Sequence, residues 1–215
     1  MKQVEEAVKA MEAQLAGVEA LTLEKLKEDT SVLCIIDINN GFAKAGALYS
    51  DRVEVKIGAI AELAEACLDN NIEVLAYTDH HPEDAKEFGA YPSHCVGDTL
   101  ESELVDELKA LTSKGLQEIK KNSTNGVLAY NPIIGREGKD YVVVGCVTDI
   151  CVYQFAVTLR GFLNEKHIDG EVYVVESLVQ TFDIDGFHHG DLMHVTFLKS
   201  LMDNGVKVVS GVSLS

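Results

Sequence analysis

The stretch YVVVGCVTDIC, residues 141–151, begins as a buried strand and leads directly into the start of a helix. Four aromatic or β-branched residues followed by Gly145 are typical of a strand inside a parallel sheet, where both faces are covered. Similar short apolar runs precede Asp37, Asp79 and Lys121, and helix-like segments separate these runs. The pattern predicts an α/β fold with a doubly wound, mostly parallel sheet and helices on both faces.

Reactive side chains stand at the ends of four of these predicted strands. They are Asp37, Asp79, Lys121 and Cys151. In an open parallel sheet, ligands bind in the crevice beyond the carboxyl ends of the strands. We therefore expect these four side chains to meet at one edge of the sheet and to form an active site there.

The length of 215 residues suits a single α/β domain, which we assign to residues 31–215. Residues 1–30 precede the first strand and form an N-terminal helical extension in our interpretation. Apolar residues spaced by three or four predict one helix, and further leucines after Gly17 predict a second. These apolar residues are Val4, Val8, Met11, Leu15 and Val18, then Leu21, Leu23 and Leu26. The extension could cover a sheet edge or a neighbouring subunit, and we expect a homo-oligomer.

Charge and composition exclude several classes of partner. A net charge of -17 disfavours nucleic acid, because phosphate binding needs clustered Lys and Arg. The acidic N-terminus lacks an apolar signal core, and no run approaches the roughly 18 apolar residues that span a bilayer, so we expect no membrane association. Five cysteines, an odd number without regular spacing, favour a reducing, cytoplasmic setting.

Cys151 is the strongest candidate nucleophile, because it opens a helix directly after a strand. The unpaired N–H groups and the positive dipole end at a helix start favour a thiolate and would lower the thiol pKa. The same N–H groups could bind an oxyanion. The alternative is that Cys151 is a small buried hydrophobic residue, as most free cysteines are.

Asp37 and Lys121 could activate this cysteine. Asp37 ends an apolar strand, where its charge is costly unless it is paired or lies in a cleft. The alternative role for Asp37 is a turn or a helix cap. Lys120 and Lys121 cannot both point the same way in an extended chain, so one of them should face the crevice. A cysteine, a carboxylate that accepts its proton and a cation that holds both form a working nucleophile assembly.

The loop after the second strand carries a possible metal site. Asp79 and His81 are two residues apart at an extended strand end and point the same way, and His94 can return to them across the loop. Such oxygen and nitrogen donors suit Zn²⁺, Mn²⁺ or Fe²⁺. The alternative is an ordinary polar surface loop. Three further histidines near the C-terminus are expected to be surface or packing residues, namely His188, His189 and His194.

Several segments together resemble a known family, the isochorismatase-like cysteine hydrolases, and within it the nicotinamidases. The resemblance covers about residues 31–209. The matching segments are IIDINNGF (35–42), DHH (79–81), YPSHCVGDT (91–99), Lys121 with the Ser and Gly residues that follow it, and GCVTDICV (145–152). The last of these is the most specific match, because it is similar to the nucleophile segment of the family.

The resemblance implies a role for each matching residue. Asp37, Lys121 and Cys151 would be catalytic, and the N–H groups of Val147 and Cys151 would form the oxyanion hole. The Cys146–Val147 peptide would be cis. The metal ligands would be Asp79, His81 and His94, with Glu87 as an additional acidic ligand. Phe42 and Tyr91 could wall a flat substrate ring, although either could be plain core.

The implied activity is hydrolysis of nicotinamide to nicotinate and ammonia through a thioester, a step of pyridine nucleotide salvage. The metal, with Zn²⁺ favoured over Mn²⁺ or Fe²⁺, would position this small-molecule amide. A second hypothesis is an amidase for a carbamoyl or ureido compound, whose relatives generally lack the metal site. Isochorismate-type ether hydrolysis fits less well because it does not use this cysteine. A third hypothesis is a non-catalytic binding or redox-sensing protein that keeps a reactive cysteine.

Overall fold

The computed structural model describes residues 2–27, 29–129 and 134–214. Its central element is a six-stranded sheet in the order β4-β3-β2-β5-β6-β7, in which every neighbouring pair is parallel. The six strands are β2 (Ser31–Ile36), β3 (Glu73–Asp79), β4 (Gln117–Lys121), β5 (Asp140–Cys146), β6 (Val172–Gln180) and β7 (Lys207–Val209). A separate parallel pair is formed by β1 (Leu21–Thr22) and β8 (Val212–Ser213).

Helices cover both faces of the central sheet. The α-helices are α1 (Lys2–Leu15), α2 (Asn40–Ala43), α3 (Asp51–Glu54), α4 (Ile57–Asp69), α5 (Asp106–Lys109), α6 (Cys151–Lys166) and α7 (Gly190–Asp203). Among the described residues, no helix is long and apolar enough to cross a membrane.

The strand order confirms the predicted doubly wound fold. The chain starts in the middle of the sheet at β2, builds outward through β3 and β4, then returns to the other side of β2 with β5. The direction of winding therefore reverses between β2 and β5. In folds of this kind the crevice at that reversal, beyond the carboxyl ends of the strands, is where ligands bind.

Alternating side chains of the strands build one core on each face of the sheet. In β2, Leu33 and Ile35 belong to the core that contains α4, whereas Cys34 and Ile36 belong to the core under α6 and α7. All six residues of β2 are buried. This continuous burial explains why the strand reads as an unbroken apolar run rather than an alternating one.

The prediction for the N-terminal extension was right for the first helix and wrong for the second. Helix α1 is present and packs against α7, with Leu15 in the core. The next apolar segment pairs through β1 with β8 and continues as a 3-10 helix, Leu23–Lys25. The spacing of two between Leu21 and Leu23 fits a strand as well as a helix, and the backbone of β8 offers a partner that the local pattern does not reveal.

Gly145 permits the close approach of β5 to β2 just before the turn that leads to Cys151. Its backbone φ is +112°, and a Cβ atom at this position would lie 2.1 Å from the carbonyl oxygen of Ile36. Only glycine combines this conformation with the absence of a side chain. The residue therefore fixes how the ends of the two strands meet at the crevice.

Candidate active site

Three strand ends bring a lysine between two carboxylates. Lys121 ends β4 beside Asp79 at the end of β3, and Asp37 follows β2 directly. The Lys121 Nζ lies 2.9 Å from Asp37 Oδ2, and it also forms an ion pair with Asp79 Oδ1. A third bond, of 3.0 Å, runs from Nζ to the carbonyl oxygen of Ser123. All three charged side chains are buried, so each depends on the others for compensation of its charge.

Asp37 is held in an uncommon backbone conformation. Its φ is +54°, in the left-handed region, and its N–H donates to the carbonyl oxygen of Tyr77 at 2.9 Å. Residues other than glycine rarely adopt this conformation, and such residues cluster at functional sites. The turn therefore ends the β2 ladder at the residue that carries the buried carboxylate.

Cys151 is the first residue of α6, as predicted, and its thiol is near enough to the Asp37 carboxylate and the Lys121 ammonium to interact with both electrostatically. Burial and the neighbouring Asp37 carboxylate raise the pKa of Cys151 well above its usual range, against the lowering effect of Lys121. The expected lowering of the thiol pKa by the helix start is thus wrong, because the raised pKa keeps the thiol protonated near neutral pH.

The pKa values of the acid, Asp37, and of the amine, Lys121, are both raised. Burial and the adjacent Asp79 carboxylate raise the pKa of Asp37 to about 7, although Lys121 opposes the rise. Burial alone would lower the pKa of Lys121, but Asp37, Cys151 and Asp79 raise it well above its usual range. The lysine therefore stays charged, and Asp37 can gain and lose a proton near neutral pH.

The turn between β5 and α6 supplies backbone donors beside the sulfur. The Cys146–Val147 peptide is cis, as the resemblance implied. The Val147 carbonyl accepts from the N–H groups of Ile150 and Val152, at 3.1 and 3.2 Å. Within the described part of the chain, the N–H groups of Val147 and Cys151 take part in no turn or cap hydrogen bond. These two donors are those expected to form the oxyanion hole.

A possible metal site lies next to the lysine-centred cluster, which consists of Lys121, Asp37, Asp79 and Cys151. Donor atoms of Asp79, His81, Glu87 and His94 all lie within 4.8 Å of one another. The Nε2 atoms of His81 and His94 are 3.4 and 3.5 Å from Asp79 Oδ2, and His81 Nε2 is 3.9 Å from Glu87 Oε1. Two imidazoles and two carboxylates at this spacing form a donor set that fits a divalent transition metal. The structure therefore brings together all four predicted ligands.

Outer partners orient these donor atoms. His81 Nδ1 is 2.7 Å from Asn122 Oδ1, and His94 Nδ1 is 2.8 Å from the Pro92 carbonyl oxygen, so both rings turn Nε2 inward. Such second contacts fix the tautomer and orientation of metal-binding histidines. Glu87 Oε2 accepts from the N–H of Thr124 at 3.0 Å, which ties the metal loop to the segment after β4.

Asp79 belongs to both clusters, and its charge state reflects both. Burial would raise the pKa of Asp79, but the ion pair with Lys121 and hydrogen bonds with His81 and His94 lower it well below its usual range. A carboxylate that stays ionised is suited to a metal. The lysine-centred cluster and the metal group therefore share one buried anion.

Aromatic rings surround the metal group. The rings of Phe42 and Tyr91 lie 5.5 and 6.2 Å from the His94 ring, which places both predicted wall residues beside the site. Phe88 packs edge-on against both His81 and His94, at 5.3 and 5.6 Å. Phe88 and Asn122 contact the predicted metal ligands, and neither was predicted from the sequence. The only sequence signal that could have indicated them is that they directly follow Glu87 and Lys121.

The three C-terminal histidines lie outside the metal group, as expected. His189 is exposed, whereas His188 and His194 are partly buried and contact the segment that precedes Cys151. His188 pairs with Asp149, and His194 with Thr148. His188 and His194 are thus packing residues, as expected, but each also makes a specific polar contact with the turn before Cys151.

The fold and these contacts define a class: a doubly wound α/β protein in which a cysteine, an aspartate and a lysine meet beside a possible metal group. Residues 31–211 match the model of the isochorismatase domain family. Nicotinamidase 1 of Arabidopsis thaliana is 31% identical over 218 residues, which cover 87% of this chain and 89% of the relative. The chain therefore belongs to the isochorismatase family of hydrolases, in the branch that contains the nicotinamidases.

Solved structures show the same fold at lower identity. PnC1 from L. infantum, solved in complex with nicotinate, has a TM-score of 0.72 at 21% identity, covering 91% of this chain and 100% of that one. The pyrazinamidase of Pyrococcus horikoshii, solved in complex with zinc, has a TM-score of 0.64 at 21% identity, covering 83% and 98%.

Proposed function

We propose that this protein is a metal-dependent amidohydrolase that converts nicotinamide to nicotinate and ammonia through a thioester on Cys151. The observation that carries the proposal is the meeting of Cys151, Asp37 and Lys121 at one sheet edge, beside four convergent metal ligands. The 31% identity to a nicotinamidase over most of both chains supports this choice of substrate.

In the first half of the reaction, the Cys151 thiol passes its proton to the Asp37 carboxylate as the sulfur attacks the carboxamide carbon. The N–H groups of Val147 and Cys151 stabilise the negative oxygen of the tetrahedral intermediate. Asp37 then gives the proton to the amide nitrogen, and ammonia leaves as the thioester forms. The raised pKa of Asp37, about 7, suits a group that must accept and return this proton.

In the second half, a water molecule attacks the thioester carbon and passes a proton to Asp37. The carbon–sulfur bond breaks, the carboxylic acid leaves, and Asp37 returns the proton to the sulfur. Lys121 remains charged throughout and holds the Asp37 carboxylate next to the sulfur through its 2.9 Å contact. Each proton that leaves the thiol or the water is therefore accounted for by a single carboxyl group.

Asp79, His81, His94 and Glu87 would hold the metal, for which we propose Zn²⁺ before Mn²⁺ or Fe²⁺, because imidazole and carboxylate donors suit zinc. When bound, the ion supplies a Lewis-acidic position that can take the pyridine nitrogen of the substrate. Phe42 and Tyr91 would then flank the ring. The presence of the four donors favours a pyridine carboxamide over a carbamoyl or ureido substrate.

All five cysteines are free thiols, which supports a reducing, cytoplasmic setting for this small-molecule enzyme. A homo-oligomeric state stays a prediction.

The test is an ammonia-release assay on a matched panel, with metal analysis of the same sample. Nicotinamide should be turned over, whereas benzamide, which differs only by a carbon in place of the ring nitrogen, should react far more slowly. N-carbamoylglycine should release no ammonia. Faster release from the ureido compound would favour the second hypothesis. No release from any amide by the metal-loaded protein would favour a non-catalytic role.

A further inference from the structure

Two residues before Cys151, Asp149 is a buried carboxylate to which the proposed mechanism assigns no role. Its two oxygens are both occupied: Oδ1 accepts from the Thr181 hydroxyl at 2.5 Å, and Oδ2 lies 2.8 Å from His188 Nε2. The Asp149 side chain is only 3% exposed, and that of His188 11%. A buried carboxylate of this kind needs its partners, because an unpaired charge in this position is strongly destabilising.

His188 faces an acceptor at each ring nitrogen. Its Nδ1 lies 3.0 Å from the carbonyl oxygen of Phe182, opposite the Nε2 contact to Asp149. A carbonyl and a carboxylate oxygen both accept hydrogen bonds, so a ring nitrogen of His188 that carries hydrogen finds a partner on either side. The ring also stacks on Phe182, with centroids 3.9 Å apart and planes 21° from parallel. The contacts therefore hold the His188 ring in one orientation between Phe182 and Asp149.

The segment that presents His188 is closed by its own hydrogen bonds. Residues Ile184 and His188 form an antiparallel bridge, with both backbone bonds at 2.8 Å. Asp183 accepts from the N–H of Gly190 at 2.6 Å, where α7 begins. On the strand side, Arg52 donates to the Thr181 carbonyl at 3.0 Å. These contacts hold the short hairpin of residues 182–189 in one conformation after β6, and with it the His188 ring.

Thr148, the residue before Asp149 in the turn, is also held by the end of β6 and by α7. The N–H of Thr148 donates to the Gln180 carbonyl at 3.1 Å, and the Thr148 hydroxyl lies 2.9 Å from His194 Nδ1. Thr148 and Asp149, which precede Ile150 and the helix start, are therefore both anchored to the end of β6 or to the elements after it. The conformation of the turn sets where the Cys151 sulfur lies relative to Asp37.

We propose that His188 and Asp149 are positioning residues: their side-chain contact fixes the turn that places the Cys151 sulfur against Asp37. This inference rests on the proposed function of Cys151 as nucleophile. Neither residue would touch the substrate, so loss of the pair should lower kcat and leave KM nearly unchanged. A displacement of about 1 Å at a reacting atom can cost on the order of 100-fold in rate.

The experiment compares substitutions at two adjacent histidines. His188→Phe keeps the stacked ring and removes both hydrogen bonds, and it should lower kcat for nicotinamide by roughly 10–100-fold, with KM within about threefold of wild type. His188→Gln restores an N–H at similar reach to Asp149 and should recover most of that loss. His189→Phe, at an exposed position with no side-chain cap bond, should change neither parameter. A kcat within twofold of wild type for His188→Phe would overturn the proposal.

A second measurement separates this proposal from the assignment of the substrate. The rate of Cys151 alkylation by iodoacetamide, followed by peptide mass spectrometry with Cys151→Ser as the blank, needs no turnover. It should fall at least fivefold in His188→Phe, because the sulfur loses its alignment with Asp37, and recover in His188→Gln. If the variant does not fold, the double substitution Asp149→Asn with His188→Phe leaves no unpaired buried carboxylate, still lacks the contact between the two side chains, and should show the same slowing. Unchanged alkylation in a folded variant would refute the positioning role even if nicotinamide proves not to be the substrate.

Discussion

The lysine-centred cluster and the metal group lie side by side but are built in different ways. The first draws Asp37, Lys121 and Cys151 from the ends of three different strands, so it exists only when the sheet is in register. The second takes its ligands from one stretch of chain, residues 79–94. A cluster assembled over long range depends on the whole fold, whereas a local cluster depends on one loop and its outer contacts.

The two clusters are nevertheless coupled, because Asp79 contributes to both. Its Oδ1 pairs with Lys121, and its Oδ2 faces the two imidazoles. Removing a residue that does not contact Asp79 should therefore affect one cluster alone, whereas removing Lys121, which pairs with the shared Asp79, should disturb both.

The largest loss of activity is expected from Cys151→Ala, which removes a side chain of the lysine-centred cluster and none of the metal group. Loss of the nucleophile should lower kcat for nicotinamide at least about 1,000-fold, since no other group can form the thioester. Metal content and the melting temperature should stay close to wild type, because no ligand and little volume is removed. Steady-state ammonia release and metal analysis on one preparation check both; retained turnover would contradict the assignment.

Lys121→Met should damage both clusters. Without the ammonium, two buried carboxylates lose their shared cation, so the free energy of unfolding should fall by roughly 3–5 kcal/mol at pH 8. The pKa values of Asp37 and Asp79 would then rise, so protonation relieves the repulsion and the loss should be smaller at pH 5. Urea unfolding at the two pH values tests this; an equal loss at both would contradict the assigned charges.

His81→Ala and Asn122→Ala test the metal group alone. The first removes a ligand and should abolish stoichiometric metal binding, whereas the second removes only the orienting contact and should weaken metal affinity by about 10–100-fold. Cys151 alkylation should be unaffected in both. His80→Ala is the matched control, since His80 neighbours the ligand but lies outside the group. Competition with a chelator measures affinity, and unchanged metal content in His81→Ala would rule out the proposed ligand.

The smallest expected effect is on the pH dependence of stability, and it comes from His194, which lies outside both clusters. Burial, with Lys56 and Arg52, lowers the pKa of His194 to about 4. Below the ordinary histidine pKa of about 6.5, the unfolded chain gains a proton that the folded protein refuses, so stability falls as pH drops from about 6.5 towards 4. The pH dependence that comes from His194 should lower the free energy of unfolding by about 2 kcal/mol between pH 7.5 and 5.0. The same pH dependence should be absent in His194→Gln. Parallel pH curves for the variant and wild type would contradict it.

The local sequence determined which residues could react. Apolar runs ending at Asp37, Asp79 and Lys121 predicted parallel strands, and the geometry of parallel sheets then predicted that their ends converge. The nucleophile segment, residues 145–152, carried enough specific residues to indicate the family. What periodicity could not distinguish was a second N-terminal helix from a short strand, because the partner of Leu21 lies at the far end of the chain.

Only the tertiary structure decided the charge states and the outer contacts. The sequence places Cys151 at a helix start, which by itself favours a thiolate, yet burial and the Asp37 carboxylate keep the thiol protonated. Likewise, nothing in the chain order indicates that His188 would pair with Asp149, because such contacts depend on how a hairpin packs over a distant turn. Patterns along the chain specify which groups are present, whereas burial and distance in three dimensions determine how strongly they interact.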